Sequence, residues 1–184
     1  MKNILLTGRP RVGKSTLILR VIERLREIGY KNIGGFYTLE VLQEGRRKGF
    51  AIHTLDGRVG RLAEVGLESR FRLGKYGIDM EEFKSVALSA LKDAIQWNNI
   101  IVVDEIGYME LKSHRFRELL GIALDSPQPL LATVMRSHFD YVDTIKARRD
   151  VLLITVRADN RDRLVGEIVE RIENLIHVLN KREA

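Results

Sequence analysis

The chain has 184 residues, 45% hydrophobic and 30% charged, the balance of a water-soluble globular protein. That length buries a substantial core without staples, and the absence of cysteine excludes disulfides, thiolate metal sites and cysteine nucleophiles. No apolar run approaches the ~18 residues of a membrane span, and the net charge of +6 favours polyanionic partners, nucleotides as well as nucleic acids.

The first element is a short apolar strand, Ile4-Leu5-Leu6. It runs directly into Gly8-Arg9-Pro10-Arg11-Val12-Gly13-Lys14-Ser15-Thr16. This spacing of glycines, lysine and hydroxyl is that of a phosphate-binding loop. The glycines let successive backbone N–H groups turn inward on phosphate oxygens, Lys14 reaches the β- and γ-phosphates, and the Ser15 hydroxyl can ligate Mg²⁺. The helix that follows adds the positive end of its dipole. A functional loop beginning at Gly8 also leaves no room for a signal peptide, so a cytoplasmic location is expected.

Leu17, Val21, Ile22, Leu25 and Ile28 then keep helical spacing from Lys14 to Ile28, and Gly29 stops the helix. Gly34 to Leu42 and Lys48 to Leu55 read as two strands joined through Gly45, and Asp56-Gly57 as a turn. Arg58 to Tyr76 shows no clean period and reads as an irregular, arginine-rich excursion or lid. Asp79, with Glu82 three residues on, caps a helix whose apolar stripe includes Phe83, Ala87, Leu91 and Ala94. Ile100 to Val103 is a buried strand. After it come a helix from His114 to Leu124, a strand from Leu130 to Val134 and a helical turn from Tyr141 to Arg148. A strand from Val151 to Val156 and a helix from Arg161 to Leu179 complete the chain.

Continuous apolar strands alternating with amphipathic helices predict a single domain over 1–184. Its class is α/β, doubly wound, with a mainly parallel sheet of P-loop nucleoside-triphosphatase type and an additional β-hairpin. In such sheets ligands sit at the carboxyl ends of the strands, so Asp104-Glu105 should face the phosphate loop. Asp104 is placed to hold Mg²⁺ through water opposite Ser15, and Glu105 to orient and deprotonate an attacking water.

Positive charge for the transition state has several candidates in Arg58, Arg61, Arg70, Arg72 and Arg136. Arg136, just after the Leu130 strand, is the best placed. Thr133 reads either as a γ-phosphate sensor or as a buried hydroxyl. Asn160 and Arg161 follow the last strand, where a base-side loop is expected, although Asn160 also suits a helix cap. His53, His114, His138 and His177 show no metal-ligand spacing.

Several strings together resemble one family, the cancer-related or THEP-type nucleoside-triphosphatases. They are the loop Gly8 to Thr16, Gly35-Phe36-Tyr37-Thr38-Leu39-Glu40-Val41, Gly74-Lys75-Tyr76-Gly77, Asp104-Glu105-Ile106-Gly107-Tyr108-Met109-Glu110-Leu111 and Thr155 to Arg161. The resemblance implies Mg²⁺-dependent hydrolysis of ATP, GTP and other nucleoside triphosphates. It also implies a core in which the phosphate-loop strand neighbours the Leu130 strand, and that one the Asp104 strand. The magnesium ligands fall on Ser15 and Asp104, and the catalytic glutamate on Glu105. Two positions depart from the family pattern: Arg11 stands where Gly is usual, and Tyr108 where Lys is usual.

The sequence thus predicts a nucleoside triphosphatase, acting as a monomer on its nucleotide and away from membranes. A small-molecule phosphotransferase using Arg58 to Lys75 as a lid is the alternative. A nucleic-acid-stimulated ATPase is permitted by the charge, but no nucleic-acid-binding motif supports it.

Overall fold

The computed structural model describes residues 1–183. Its strands are β1 (Asn3–Thr7), β2 (Ile33–Gln43), β3 (Arg46–Thr54), β4 (Val59–Val65), β5 (Arg72–Leu73), β6 (Tyr76–Ile78), β7 (Ile100–Ile106), β8 (Leu130–Val134) and β9 (Val151–Thr155). The helices are α1 (Lys14–Glu27), the single turn α2 (Met80–Glu82), α3 (Ser89–Trp97), α4 (His114–Asp125), α5 (Asp140–Lys146) and α6 (Arg161–Glu183). A wider π-type winding over Phe83–Leu88 joins α2 to α3.

All nine strands form one sheet, ordered β5-β6-β4-β3-β2-β7-β8-β1-β9. From β2 to β9 neighbouring strands are parallel, and from β2 to β5 they are antiparallel. The order β7-β8-β1 is the one the resemblance implied. Helices cover both faces of the parallel part, so β1 and β8 are buried at every position and their sequences run apolar without alternation. Residue by residue, β1 still divides its side chains. Leu5 packs with the helices of one face, α3 and α4, while Ile4 and Leu6 pack against α1 and α6 on the other. Phe36, Phe83 and Phe116 meet edge to face in the first of these cores, with ring centres 5.7–6.2 Å apart.

The expected excursion over Arg58 to Tyr76 is instead largely sheet, with β4, β5 and β6 at its far edge. Alternation was masked because a register shift between Phe50 and Ala51 in β3 lets the adjacent Leu62 and Ala63 of β4 both face inward. Its arginines fasten the edge rather than form a lid. Arg58 bonds Asp56, Ser89 and Asp93, and Arg61 bonds Asp79 and Glu64. Asp79 caps α2 as expected, its Oδ1 accepting the Glu82 N–H at 3.1 Å.

One feature of the sheet positions the site. Pairing between β2 and β7 ends at Tyr37 opposite Asp104, yet β2 continues to Gln43 with only β3 beside it. Residues 38–43 therefore project roughly 20 Å beyond the carboxyl edge of the parallel sheet, at ~3.3 Å per residue. Among the described residues, no helix is long and apolar enough to cross a membrane.

Candidate active site

The loop between β1 and α1 is shaped by two glycines. At Gly8 (φ +155°) a Cβ would lie 2.6 Å from the carbonyl oxygen of Val156, so only glycine fits there. Gly13 (φ +101°) precedes α1, and no side chain caps the first turn of that helix. Its leading N–H groups are thus left for a ligand. Lys14 is curled into the loop, with Nζ 3.5 Å from the Gly8 carbonyl and 3.4 Å from that of Arg9. Arg11 has φ +62°, the left-handed conformation that glycine adopts freely.

Parallel pairing brings the other elements alongside. Leu6 of β1 stands opposite Thr133 of β8, and Val103 of β7 opposite Ala132, so Asp104 reaches the edge next to Thr133 and the loop. Asp104 is 1% exposed, and its Oδ1 accepts a hydrogen bond from the Thr133 hydroxyl. Burial raises the Asp104 pKa, while Thr133, the Ser15 hydroxyl and the Lys14 charge favour its anion. Its Oδ2 is buried without a partner.

A lone carboxylate oxygen beside a serine hydroxyl suits a hard, oxygen-seeking cation. No group of three or more His, Cys, Asp or Glu among the described residues could hold a metal alone. Mg²⁺ keeps several waters and takes substrate phosphate oxygens, so one carboxylate and one hydroxyl suit it. The residues present therefore fit the ion.

Glu105 lies beside the phosphate loop. Its pKa is raised, first by burial and also by Asp104, with Lys14 opposing. A cavity of about 820 Å³ is lined by the phosphate loop, Glu105 and Tyr108, by Met135-Arg136-Ser137 after β8, and by Thr38, Glu40, Arg47 and Phe50 of the β2–β3 hairpin. Tyr108 stands edge-on to Phe139, with centroids 6.2 Å apart.

The predicted residues do not all meet. Gly8, Pro10, Arg11, Gly13, Lys14, Ser15, Thr16, Glu105 and Arg136 share this cavity, with Asp104 and Thr133 beneath it. Arg9 and Val12 belong to the loop itself, the Arg9 carbonyl facing Lys14. Arg161 sits behind the loop, its Nη1 3.4 Å from the Val12 carbonyl. It borders a smaller cleft of about 180 Å³ with Gly13, Thr16 and Arg20. The Asn160 side chain is engaged in its own turn, Oδ1 accepting the Arg157 N–H at 2.8 Å and Nδ2 donating to the Thr155 carbonyl at 3.0 Å. Arg70 lies over the Phe71 ring and Arg72 bonds the Leu67 carbonyl, both outside the cavity. Thr38, Glu40, Arg47 and Phe50 were not among the predicted site residues. Their signal was the overlength of β2 relative to β7, visible only once the two strands are aligned.

The chain is similar to known proteins along most of its length. A family model described as NTPase matches residues 3–169. The nucleoside-triphosphatase THEP1 of Thermotoga sp. (strain RQ2) is 42% identical over 166 residues, covering 90% of this chain and 92% of that one. THEP1 of Methanocaldococcus jannaschii is 40% identical over 170 residues, covering 92% and 96%. Among solved structures, a human cancer-related nucleoside triphosphatase superposes with a TM-score of 0.81 at 36% identity, covering 95% of this chain and 98% of that one.

Proposed function

Because the chain belongs to the NTPase family, we propose that it is an enzyme that hydrolyses nucleoside 5′-triphosphates, ATP and GTP among them, to the diphosphate and phosphate, with Mg²⁺ as cofactor. The observation that carries this reading is the unpartnered Oδ2 of buried Asp104, set beside Ser15 and Lys14 at the mouth of a phosphate loop, with Glu105 next to it.

The loop N–H groups and Lys14 bind the β- and γ-phosphates. Ser15 would hold Mg²⁺ directly and Asp104 through water, and the bound ion would neutralise charge building on the phosphate oxygens. Thr133 keeps the Asp104 carboxylate oriented through its hydrogen bond. Glu105, its basicity raised by burial, accepts a proton from water as the water oxygen bonds to the γ-phosphorus. The bond from that phosphorus to the β–γ bridging oxygen breaks, and the diphosphate leaves on the bridging oxygen. Arg136 adds positive charge on the same cavity wall.

Broad base tolerance is supported at the opposite end of the nucleotide. Asn160 is held at both Oδ1 and Nδ2 by the backbone of its own turn, and Arg161 offers a planar cation on which any base can stack.

The test is Mg²⁺-dependent phosphate release from ATP and GTP, without acceptor, by the wild type and Glu105→Gln. Release should fall by ~10²–10⁴ in the variant, with nucleotide binding retained. Binding without release by the wild type would overturn hydrolysis in favour of transfer to an acceptor.

A further inference from the structure

The β2–β3 hairpin carries a guanidinium that the loop, the acids and Arg136 leave unexplained. Arg47 enters the nucleotide cavity from the projecting end of β3. Three features define its position. Its Nη2 donates to Glu40 across the hairpin, its Cζ stands 5.3 Å from the centre of the Phe50 ring, and its Nε is buried with no partner. An exposed ion pair needs none of this. A buried guanidinium N–H without an acceptor is costly, and it marks a donor awaiting an anion.

The topology says which anion. The loop after β9, assigned above to the base side of the nucleotide, lies at one end of the parallel sheet. The hairpin springs from β2 at the other end, next to the Asp104 strand. A triphosphate laid along the loop from base to terminal phosphate points toward Glu105 and on toward the hairpin. We propose that Arg47 is the catalytic arginine supplied within the chain, contacting the γ-phosphoryl oxygens as the bond to the leaving diphosphate stretches, with Glu40 tethering it beforehand.

The chemistry asks for such a group. Charge spreads over the equatorial oxygens of the transferring phosphoryl, and a planar fork of donors in a partly dry site stabilises it far better than one in water. Phe50 shields one face of Arg47 from solvent, and the hairpin pairing fixes its stem. The inference rests on the hydrolase reading above.

The experiment compares wild type, Arg47→Ala, Arg47→Lys and, as a neighbouring-charge control, Arg46→Ala. Phosphate release, binding of a non-hydrolysable triphosphate, and trapping of Mg²⁺·ADP by aluminium fluoride are measured, with thermal midpoints checking folding. Arg47→Ala should lower kcat by ~10³, the lower end for an arginine of this kind, and should lose the aluminium fluoride complex. Triphosphate binding should change only a few-fold, and Arg46→Ala should resemble wild type. Arg47→Lys should stay impaired, because an ammonium lacks the fork, whereas added guanidinium should partly restore Arg47→Ala. Wild-type turnover in Arg47→Ala, or equal losses in ground-state binding and turnover, overturns the role of Arg47 while the hydrolase reading stands. A wild type that releases no phosphate overturns both.

Discussion

Replacing Glu110 by glutamine is expected to stabilise the protein at neutral pH and to flatten its pH dependence. The Glu110 side chain is 4% exposed on the turn after β7, and a Cβ on Gly107 would lie 3.0 Å from its Oε2. Burial first, and the Glu105 charge second, push its carboxyl up to about 8 from an ordinary 4.5, although the N–H groups of Glu110 and Gly107 favour the anion. Between those two values the folded chain keeps a proton that the unfolded chain has lost. Stability therefore falls as pH rises through that window, by ~1.4 kcal/mol per pH unit.

At pH 7 the accumulated penalty is about 3 kcal/mol. Glutamine keeps the shape and the carbonyl acceptor but carries no charge, so the variant escapes that loss. For a chain of this size the gain corresponds to ~6–12 °C in thermal midpoint at pH 7, and to almost nothing near pH 4.5. Urea unfolding at pH 5, 7 and 8.5 measures it, followed by far-ultraviolet circular dichroism because Trp97 is 68% exposed and reports poorly on the core. The gap between variant and wild type should widen with pH. A gap that stays constant, or a variant less stable at pH 8.5, refutes the argument from burial.

Two other substitutions probe the same site. Asp104→Asn should raise the thermal midpoint of the protein alone by a few degrees at pH 7.5, since it removes a buried charge whose Oδ2 lacks a partner. It should also abolish the further rise produced by Mg²⁺ and ADP; a lower midpoint with that rise intact contradicts it. Arg11→Gly relieves a left-handed backbone at φ +62° and should stabilise the fold by about 1 kcal/mol, less the entropy glycine adds to the unfolded chain. A midpoint lowered by several degrees would instead show that the Arg11 side chain contributes packing.

Local signals were legible because their physics is local. The glycine turn between β1 and α1 could be read from spacing, since it rests on glycine conformations within a single turn. The Asp79 cap and the stripes of α1 and α6 depend on residues three and four apart, and the buried strands announce themselves by unbroken apolar runs. Two acids at the end of such a strand pointed to the ligand edge for the same reason.

Contacts between distant segments were decided only by the tertiary structure. The Thr133–Asp104 bond joins two strands, and Ser15 arrives at that pair from a third element. The bulge at Leu62 in β4 concealed that strand from any period-two reading, and the edge arginines chose acids on neighbouring elements. Most consequentially, Arg46-Arg47-Lys48 reads as a short surface cluster in the chain. Of the three, Arg47 alone joins the cavity beside the phosphate loop, because β2 overruns β7 and carries β3 with it. Strand register and overlength arise from how neighbours align, and no pattern within one segment encodes that alignment.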